Sequence, residues 1–158
     1  MEVRELMQAP VQTLTIDDTL SCAAKMMRDQ AIGCVPIVDR LGVLVGILTD
    51  RDVALAAYEI GEALWRLPIH DSMHAGVHTC RAEDDIATAA QTMRAHRVRR
   101  LPVVDAGNRP LGMISIDDLT HASRQPILDP TPGLTCDEIG GLYEATSGRS
   151  KHAREVHE

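Results

Sequence analysis

The sequence predicts a mixed α/β (α+β) chain made of two pseudo-symmetric units, each ordered strand, helix, strand, strand, helix. Two observations predict it: an ungapped internal repeat, and the same alternation of helical and strand periodicity in both copies. Residues 7 to 53 and 73 to 119 align at a constant offset of 66. Met7, Val11, Asp18, Ala23, Ala24, Met27 and Arg28 match Met73, Val77, Asp84, Ala89, Ala90, Met93 and Arg94. Pro36, Val38, Asp39, Gly46 and Asp52 then match Pro102, Val104, Asp105, Gly112 and Asp118. The period is too long for a solenoid unit and two copies are too few for an array. A packed pair of homologous units is the reading that remains.

Each element follows from local pattern. Leu20, Ala23, Ala24 and Met27, and again Ile86, Ala89, Ala90 and Met93, recur at i, i+3, i+4, i+7 and share one helical face. Asp18 and Asp84 stand just upstream, where a short acceptor caps orphan amides and complements the helix dipole. The runs from Cys34 to Asp39 and from Arg100 to Asp105 read as strands. Pro36 and Pro102 lack a ladder donor and are expected at a strand's first residue or on an edge. Turns at Arg40-Leu41-Gly42 and Ala106-Gly107-Asn108 lead into strands from Val43 to Leu48 and Leu111 to Ile116. Final helices open near Thr49 or Asp50 and between Ser115 and Asp117. Extended stretches, Val11 to Leu14 and Val77 to Cys80, precede each copy and offer a further strand. The expected boundaries are 1–60 and 69–124 for the two domains, 61–68 for the linker, with Trp65 anchoring it on the core, and 125–158 for a partly flexible extension.

Composition narrows the class. At 158 residues the chain can bury roughly 70% of its unfolded surface without staples. No run approaches about 18 apolar residues, and the first residues lack a basic stretch followed by an apolar one, so neither a membrane span nor a signal peptide is expected. Sixteen basic against twenty-three acidic residues give −7, which disfavours nucleic-acid binding. Cys22, Cys34, Cys80 and Cys136 are scattered without a Cys-x-x-Cys, as expected of reduced thiols in a cytoplasm.

The residues with chemical interest join the last strand to the last helix. Gly46-Ile47-Leu48-Thr49-Asp50-Arg51-Asp52 and Gly112-Met113-Ile114-Ser115-Ile116-Asp117-Asp118 share Gly-x-x-Thr/Ser-x-x-Asp. Taken singly, Thr or Ser followed three residues later by Asp is a helix cap. The two glycines can be small for packing alone. The same groups also suit a ligand: hydroxyl and amides at a helix start hold phosphate or ribose oxygens, and a carboxylate accepts ribose hydroxyls. No nucleophile elbow, phosphate loop or His-Glu-x-x-His is present, so nothing argues for an enzyme.

With the Val-Pro-Ile-Val-Asp and Leu-Pro-Val-Val-Asp segments upstream, this pattern resembles the cystathionine-β-synthase (CBS) domain family. The tandem pair, a Bateman module, is its usual working unit, and the resemblance spans about residues 1 to 124. It implies a stand-alone, non-catalytic regulatory pair, packed through its sheets, with clefts between the units for an adenosyl ligand such as AMP, ADP, ATP, NAD(H) or S-adenosylmethionine. By that resemblance Asp52 and Asp118 hold ribose hydroxyls, and Thr49 and Ser115 contact ribose or phosphate. Gly33, Cys34 and Val35, with Arg99, Arg100 and Leu101, flank the base, on a dry surface that includes Ile32 and Val98. Backbone near Thr13 and Thr79 reads its edge. No cofactor is required. The resemblance also implies a homodimer formed through the final helices, Val53 to Tyr58 and Leu119 to Ala122, and an output read by an unnamed protein partner.

The copies differ in charge beside the motif. Arg51 in the first suits a phosphate, whereas Asp117 stands at that place in the second. Arg97, Arg99 and Arg100 cluster where the first copy has Ala31, Gly33 and Cys34, facing either a cleft or solvent. The expectation is one tight site and one that is weak or empty. Two contrasting readings are a ligand-independent scaffold whose motifs only cap helices, and a metal-binding stress protein using His70, His74 and His78 with Cys80. Gly76 argues against a continuous helix through those histidines, so no metal site is expected. Pro126, Pro130 and Pro132 break the chain beyond the second copy. A short helix over Leu134 to Thr146, weakened by Gly140-Gly141, is expected ahead of a polar tail from Ser147, with Leu134, Ile139, Leu142 and Tyr143 docking on the protein's own dimer by default, the alternatives being the module or a partner.

Overall fold

In the computed structural model, residues 1–124 and 135–146 are described. The predicted helical stripes become α1 (Leu20–Gln30) and α3 (Ile86–His96). Leu20, Ala23 and Met27 are buried in the first, and Ile86, Ala89, Ala90 and Met93 in the second. The helix starts differ from expectation. Thr19, without a side-chain cap bond, is the N-cap of α1, and Asp85 is that of α3, its carboxylate accepting from Ala87 N at 2.8 Å. Asp18 turns back instead and accepts from Thr15 N at 2.7 Å and Thr15 Oγ1 at 2.9 Å. Neither Asp18 nor Asp84 is therefore the N-cap: an extra residue, Thr19 or Asp85, intervenes before the first helical turn. Both helices close alike on left-handed residues, Ala31 (φ 54°) and Arg97 (φ 55°). Ile32 N and Val98 N bond back to Met27 O and Met93 O, both at 3.0 Å.

Strands β1 (Leu14–Thr15), β2 (Cys34–Val38) and β3 (Leu44–Thr49) form one sheet in that order, with β1 parallel and β3 antiparallel to β2. Strands β4 (Arg100–Val104) and β5 (Pro110–Ser115) form the second copy's hairpin, and Cys80 makes a parallel bridge to Val103. Pro36 lies mid-strand in central β2, opposite Ile47, and not at a strand start or an edge. Ile47 turns both backbone groups away, its N–H to His74 O at 3.0 Å and its carbonyl to His74 N at 2.9 Å, so that pair needs no proline donor. Pro102 is likewise interior to β4 and contributes only its carbonyl, to Cys80 N at 3.1 Å. The hairpin turns are copies of one another. Asp39 Oδ1 accepts from Leu41 N and Val43 N at 2.8 and 2.9 Å, and Asp105 Oδ1 from Gly107 N and Arg109 N, both at 2.8 Å. Gly42 (φ 77°) and Asn108 (φ 58°) take the left-handed position in each.

Three further α-helices lie among the described residues: α2 (Asp50–Ile60), α4 (Ile116–Arg124) and α5 (Cys136–Thr146). Residues cluster into two units that exchange segments of sequence. Among the described residues, the first comprises 8–81 with the hairpin tip 102–113, and the second comprises 1–7, 82–101, 114–124 and 135–146. In the first unit Leu20, Met27, Val35, Ile37, Leu48, Val53, Leu67 and Ile69 form a continuous core. The segment that follows α2 is held there by Leu67 and Ile69. Trp65 is not the anchor: it is 63% exposed and carries the Arg66 guanidinium 4.8 Å above its ring. A large indole on a three-residue 3₁₀ turn points outward here, while the smaller aliphatic side chains after it turn in.

In the second unit, Val3 N and Arg4 N bond to Asp84 O and Ala82 O at 2.9 and 3.0 Å, tying the first residues to the start of the second copy. Helix α5 packs on α3 and α4, burying Ile139 and Leu142. A capping box starts it, with Thr135 N and Oγ1 donating to Glu138 Oε2 at 2.8 and 2.9 Å. Gly140 and Gly141 lie inside this helix without ending it. Pro126, Pro130, Pro132, Leu134 and the tail from Ser147 lie outside the described residues. Cys34 and Cys80 are buried and Cys22 is exposed. No helix among the described residues is long and apolar enough to cross a membrane.

Candidate functional site

Each motif is a strand-to-helix junction locked by the same bonds. In the first copy Thr49 is the N-cap of α2. Its N–H and Oγ1 donate to Asp52 Oδ2 at 2.8 and 2.6 Å, and Asp52 N donates back to Thr49 Oγ1 at 3.3 Å. In the second, Ser115 N and Oγ donate to Asp118 Oδ2 at 2.8 and 2.6 Å, and Asp118 N returns to Ser115 Oγ at 3.3 Å. One carboxylate oxygen of each aspartate is thereby committed to the cap at the helix start.

The segments ahead of β2 and β4 come to the same junctions. Asp50 N donates to Gly33 O, and Ile116 N to Arg99 O, both at 3.1 Å. Cys34 is also the register partner of Thr49 across β2 and β3. The structure thus joins Gly33 and Cys34 to Thr49, Arg51 and Asp52, and Arg99 and Arg100 to Ser115 and Asp118. Val35 and Leu101 are fully buried and Cys34 is nearly so, as core residues are. Ile32 packs against that core. Thr13 stands just before β1 and Thr79 just before the Cys80 bridge, both half-buried.

The two junctions differ in what surrounds them. At the first, His74 Nε2 lies 2.9 Å from Asp52 Oδ1, with His74 68% and Asp52 12% exposed. His74 reaches it because its backbone pairs with Ile47 on β3, and that close approach depends on Gly46. A Cβ there would lie 2.5 Å from Met73 Sδ and 3.1 Å from His74 O. Gly46 therefore makes room for this chain's own Met73-His74 segment. Arg51 is exposed on the first turn of α2. At the second junction Asp117 accepts a hydrogen bond from the Tyr143 hydroxyl, and Arg99 stacks over the Tyr143 ring at 5.4 Å. Arg97 and Arg100 are exposed.

Sequence reasoning missed both His74 and Tyr143 as neighbours of the motifs. The repeat held a signal for the first: His74 aligns with Gln8, and both follow the matched methionines, so that place carries a hydrogen-bonding side chain in each copy. The partners also bond alike, His74 with Ile47 and Gln8 with Met113. His70 pairs with Asp71 at 3.2 Å. His70, His74 and His78 do not converge, and no group of three or more metal-ligating side chains is present among the described residues.

The sequence profile of the CBS domain matches residues 3–59 and again 69–125. The chain belongs to the CBS-domain family. As a tandem CBS pair it is 33% identical over 117 residues to the CBS domain-containing protein YhcV of Bacillus subtilis, covering 74% of this chain and 81% of that one. It is also 33% identical over 119 residues to a homoserine O-acetyltransferase of Methanococcoides burtonii, spanning 75% of this chain but 23% of the enzyme. Among solved structures, the CBS pair of protein MJ0100 in complex with 5′-methylthioadenosine and S-adenosyl-L-methionine superposes with a TM-score of 0.70 at 27% identity. That match covers 77% of this chain and 94% of the other. The mixed α+β architecture read from the repeat is the CBS-pair architecture.

Proposed function

We propose that this CBS pair is a non-catalytic, cytoplasmic regulatory module that binds an adenosyl compound through one or both strand-to-helix motifs. The observation that carries the reading is the duplicated junction, with Thr49 and Asp52 repeated by Ser115 and Asp118 at matching distances. Asp52 and Asp118 take ribose hydroxyls, since an ionised carboxylate is purely an acceptor. Thr49 and Ser115 take ribose or phosphate oxygens beside helix-start amides. Backbone near Thr13 and Thr79 reads the base edge, and Gly33, Cys34, Val35, Arg99, Arg100 and Leu101 flank the base. The adenosyl ligands of the MJ0100 pair support this class of ligand.

The sites are unequal. Exposed Arg51 favours a phosphorylated ligand at the first motif, whereas Asp117 opposes phosphate at the second. The ligand favours whichever arrangement of a homodimer or protein complex binds it better, by no more than its differential affinity. Isothermal titration with AMP, ADP, ATP, NAD(H), 5′-methylthioadenosine and S-adenosylmethionine, on wild type, Asp52→Ala and Asp118→Ala, tests the reading. Unequal losses from the two changes are expected, and equal losses refute the asymmetry. Binding at one hundred times the dissociation constant also stabilises the fold by about 2.7 kcal/mol.

One observation favours a second reading, a ligand-independent scaffold: each aspartate already closes a capping box. The absence of a thermal shift with every compound in that panel selects it.

A further inference from the structure

The first motif carries its own occupant. Resting on the assignment of Asp52 to ribose hydroxyls, we propose that His74 is an internal competitor at that carboxylate, setting the affinity and the sugar preference of the first motif. Counting acceptor positions makes the case. An ionised carboxylate offers about four lone-pair sites, two on each oxygen. Oδ2 spends both on Thr49, accepting from N at 2.8 Å and from Oγ1 at 2.6 Å. Oδ1 gives one to His74 Nε2–H at 2.9 Å. A single acceptor position remains, and a vicinal diol needs two for two-point binding.

One of the existing bonds must therefore open for a ribose to bind through both hydroxyls. The capping bonds are the costlier to break, because they hold the helix start as well as the side chain. His74 is the element that yields. Its ring is 68% exposed, so it exchanges the carboxylate for water at little cost once displaced. Its backbone stays fixed, since His74 N and O are paired with Ile47 on β3, so the imidazole rotates about its own side-chain bonds and the strand edge is undisturbed. Gly46 is what lets His74 come near enough: an added Cβ would lie 2.5 Å from Met73 Sδ and 3.1 Å from His74 O, so the thioether or the pairing of His74 with β3 would have to shift. A ligand with a full diol gains two bonds to Asp52 and loses one protein bond, whereas a 2′-deoxy ligand fits the one open position with His74 in place. The resting protein consequently discriminates poorly between ribose and deoxyribose at this motif.

The test isolates the first motif in an Asp118→Ala background and measures binding of adenosine and 2′-deoxyadenosine by titration calorimetry. Adding His74→Ala is expected to tighten adenosine binding about three- to tenfold, the factor for releasing one solvent-exposed hydrogen bond to a charged group. It should also raise the preference for adenosine over 2′-deoxyadenosine by a similar factor. Unchanged or weaker adenosine binding with His74→Ala, while Asp52→Ala still abolishes it, overturns the competitor and leaves the ribose assignment standing. Binding that ignores Asp52→Ala, or no adenosine binding in any of these proteins, overturns both. Adenosine binding that appears only after His74→Ala supports the proposal in its strongest form. The chemical shifts and proton exchange of the His74 ring, followed by NMR as adenosine is added to the Asp118→Ala protein, supply a second readout: release of Nε2–H to solvent is expected, and an undisturbed ring in a protein that binds adenosine refutes displacement.

Discussion

The Tyr143 hydroxyl on α5 donates to Asp117 on the first turn of α4, one residue before the motif aspartate Asp118. Helix α5 is thereby tied to the second motif by a polar contact as well as by the burial of Ile139 and Leu142. Truncation of Leu142 to alanine should cost about 2–5 kcal/mol, the range for an aliphatic side chain removed from a core. Tyr143→Phe should cost only about 0.5–1.5 kcal/mol, one hydrogen bond. Urea unfolding measures both, and equal effects would mean that the polar contact, not the apolar face, docks α5.

Gly46 should tolerate no side chain. A Cβ 2.5 Å from Met73 Sδ and 3.1 Å from the His74 carbonyl forces either the thioether or the β3 pairing to shift. Gly46→Ala is expected to lose about 1–3 kcal/mol, the usual cost of overpacking. Gly46→Ala with Met73→Ala should recover part of that loss, because the flexible thioether is the nearer obstacle. A double-mutant cycle on melting temperature checks the coupling.

The hairpin turns supply an internal control on backbone strain. Gly42 has φ 77° with open space around its Cβ position, so Gly42→Ala tests conformation alone and should cost about 1 kcal/mol. Gly42→Asn should cost less, since Asn108 already occupies the matching place at φ 58° in the second copy. Chemical denaturation distinguishes them, and equal losses would contradict the equivalence of the turns.

The cap of α3 should make stability depend on pH. The hydrogen bond from Ala87 N holds the Asp85 carboxyl below its usual 3.8. A lowered folded-state value means stability that is fully present above the unfolded value near 4 and lost as pH falls through the lower folded value. Asp85→Ala should therefore cost about 1 kcal/mol at pH 7, with exposure of the side chain keeping it near or below that figure. The difference from wild type should shrink below about pH 4. A gap that persists undiminished at pH 3 would assign the effect to packing.

Much of this protein was legible because duplication turns one sequence into two readings of the same fold. The helical stripes at Leu20 and Ile86, the turns at Asp39 and Asp105, and the junctions at Thr49 and Ser115 all depend on residues within a few positions of one another. Local pattern therefore determined them. It failed where a nearby residue of similar chemistry competed, as Thr19 did with Asp18 and Asp85 with Asp84. It failed again at Pro36, whose place in the central strand depends on Ile47 facing His74, a partner 38 residues away from the proline.

The sequence by itself determined the CBS pair, its repeated elements and the cap at each motif. Only the tertiary structure decided what stands beside those caps, His74 on Asp52 at one and Tyr143 on Asp117 at the other. The reason is physical: a capping box closes over three residues, whereas His74 lies 22 and Tyr143 lies 26 residues from its partner. Each arrives through backbone pairing or helix packing that no periodicity records.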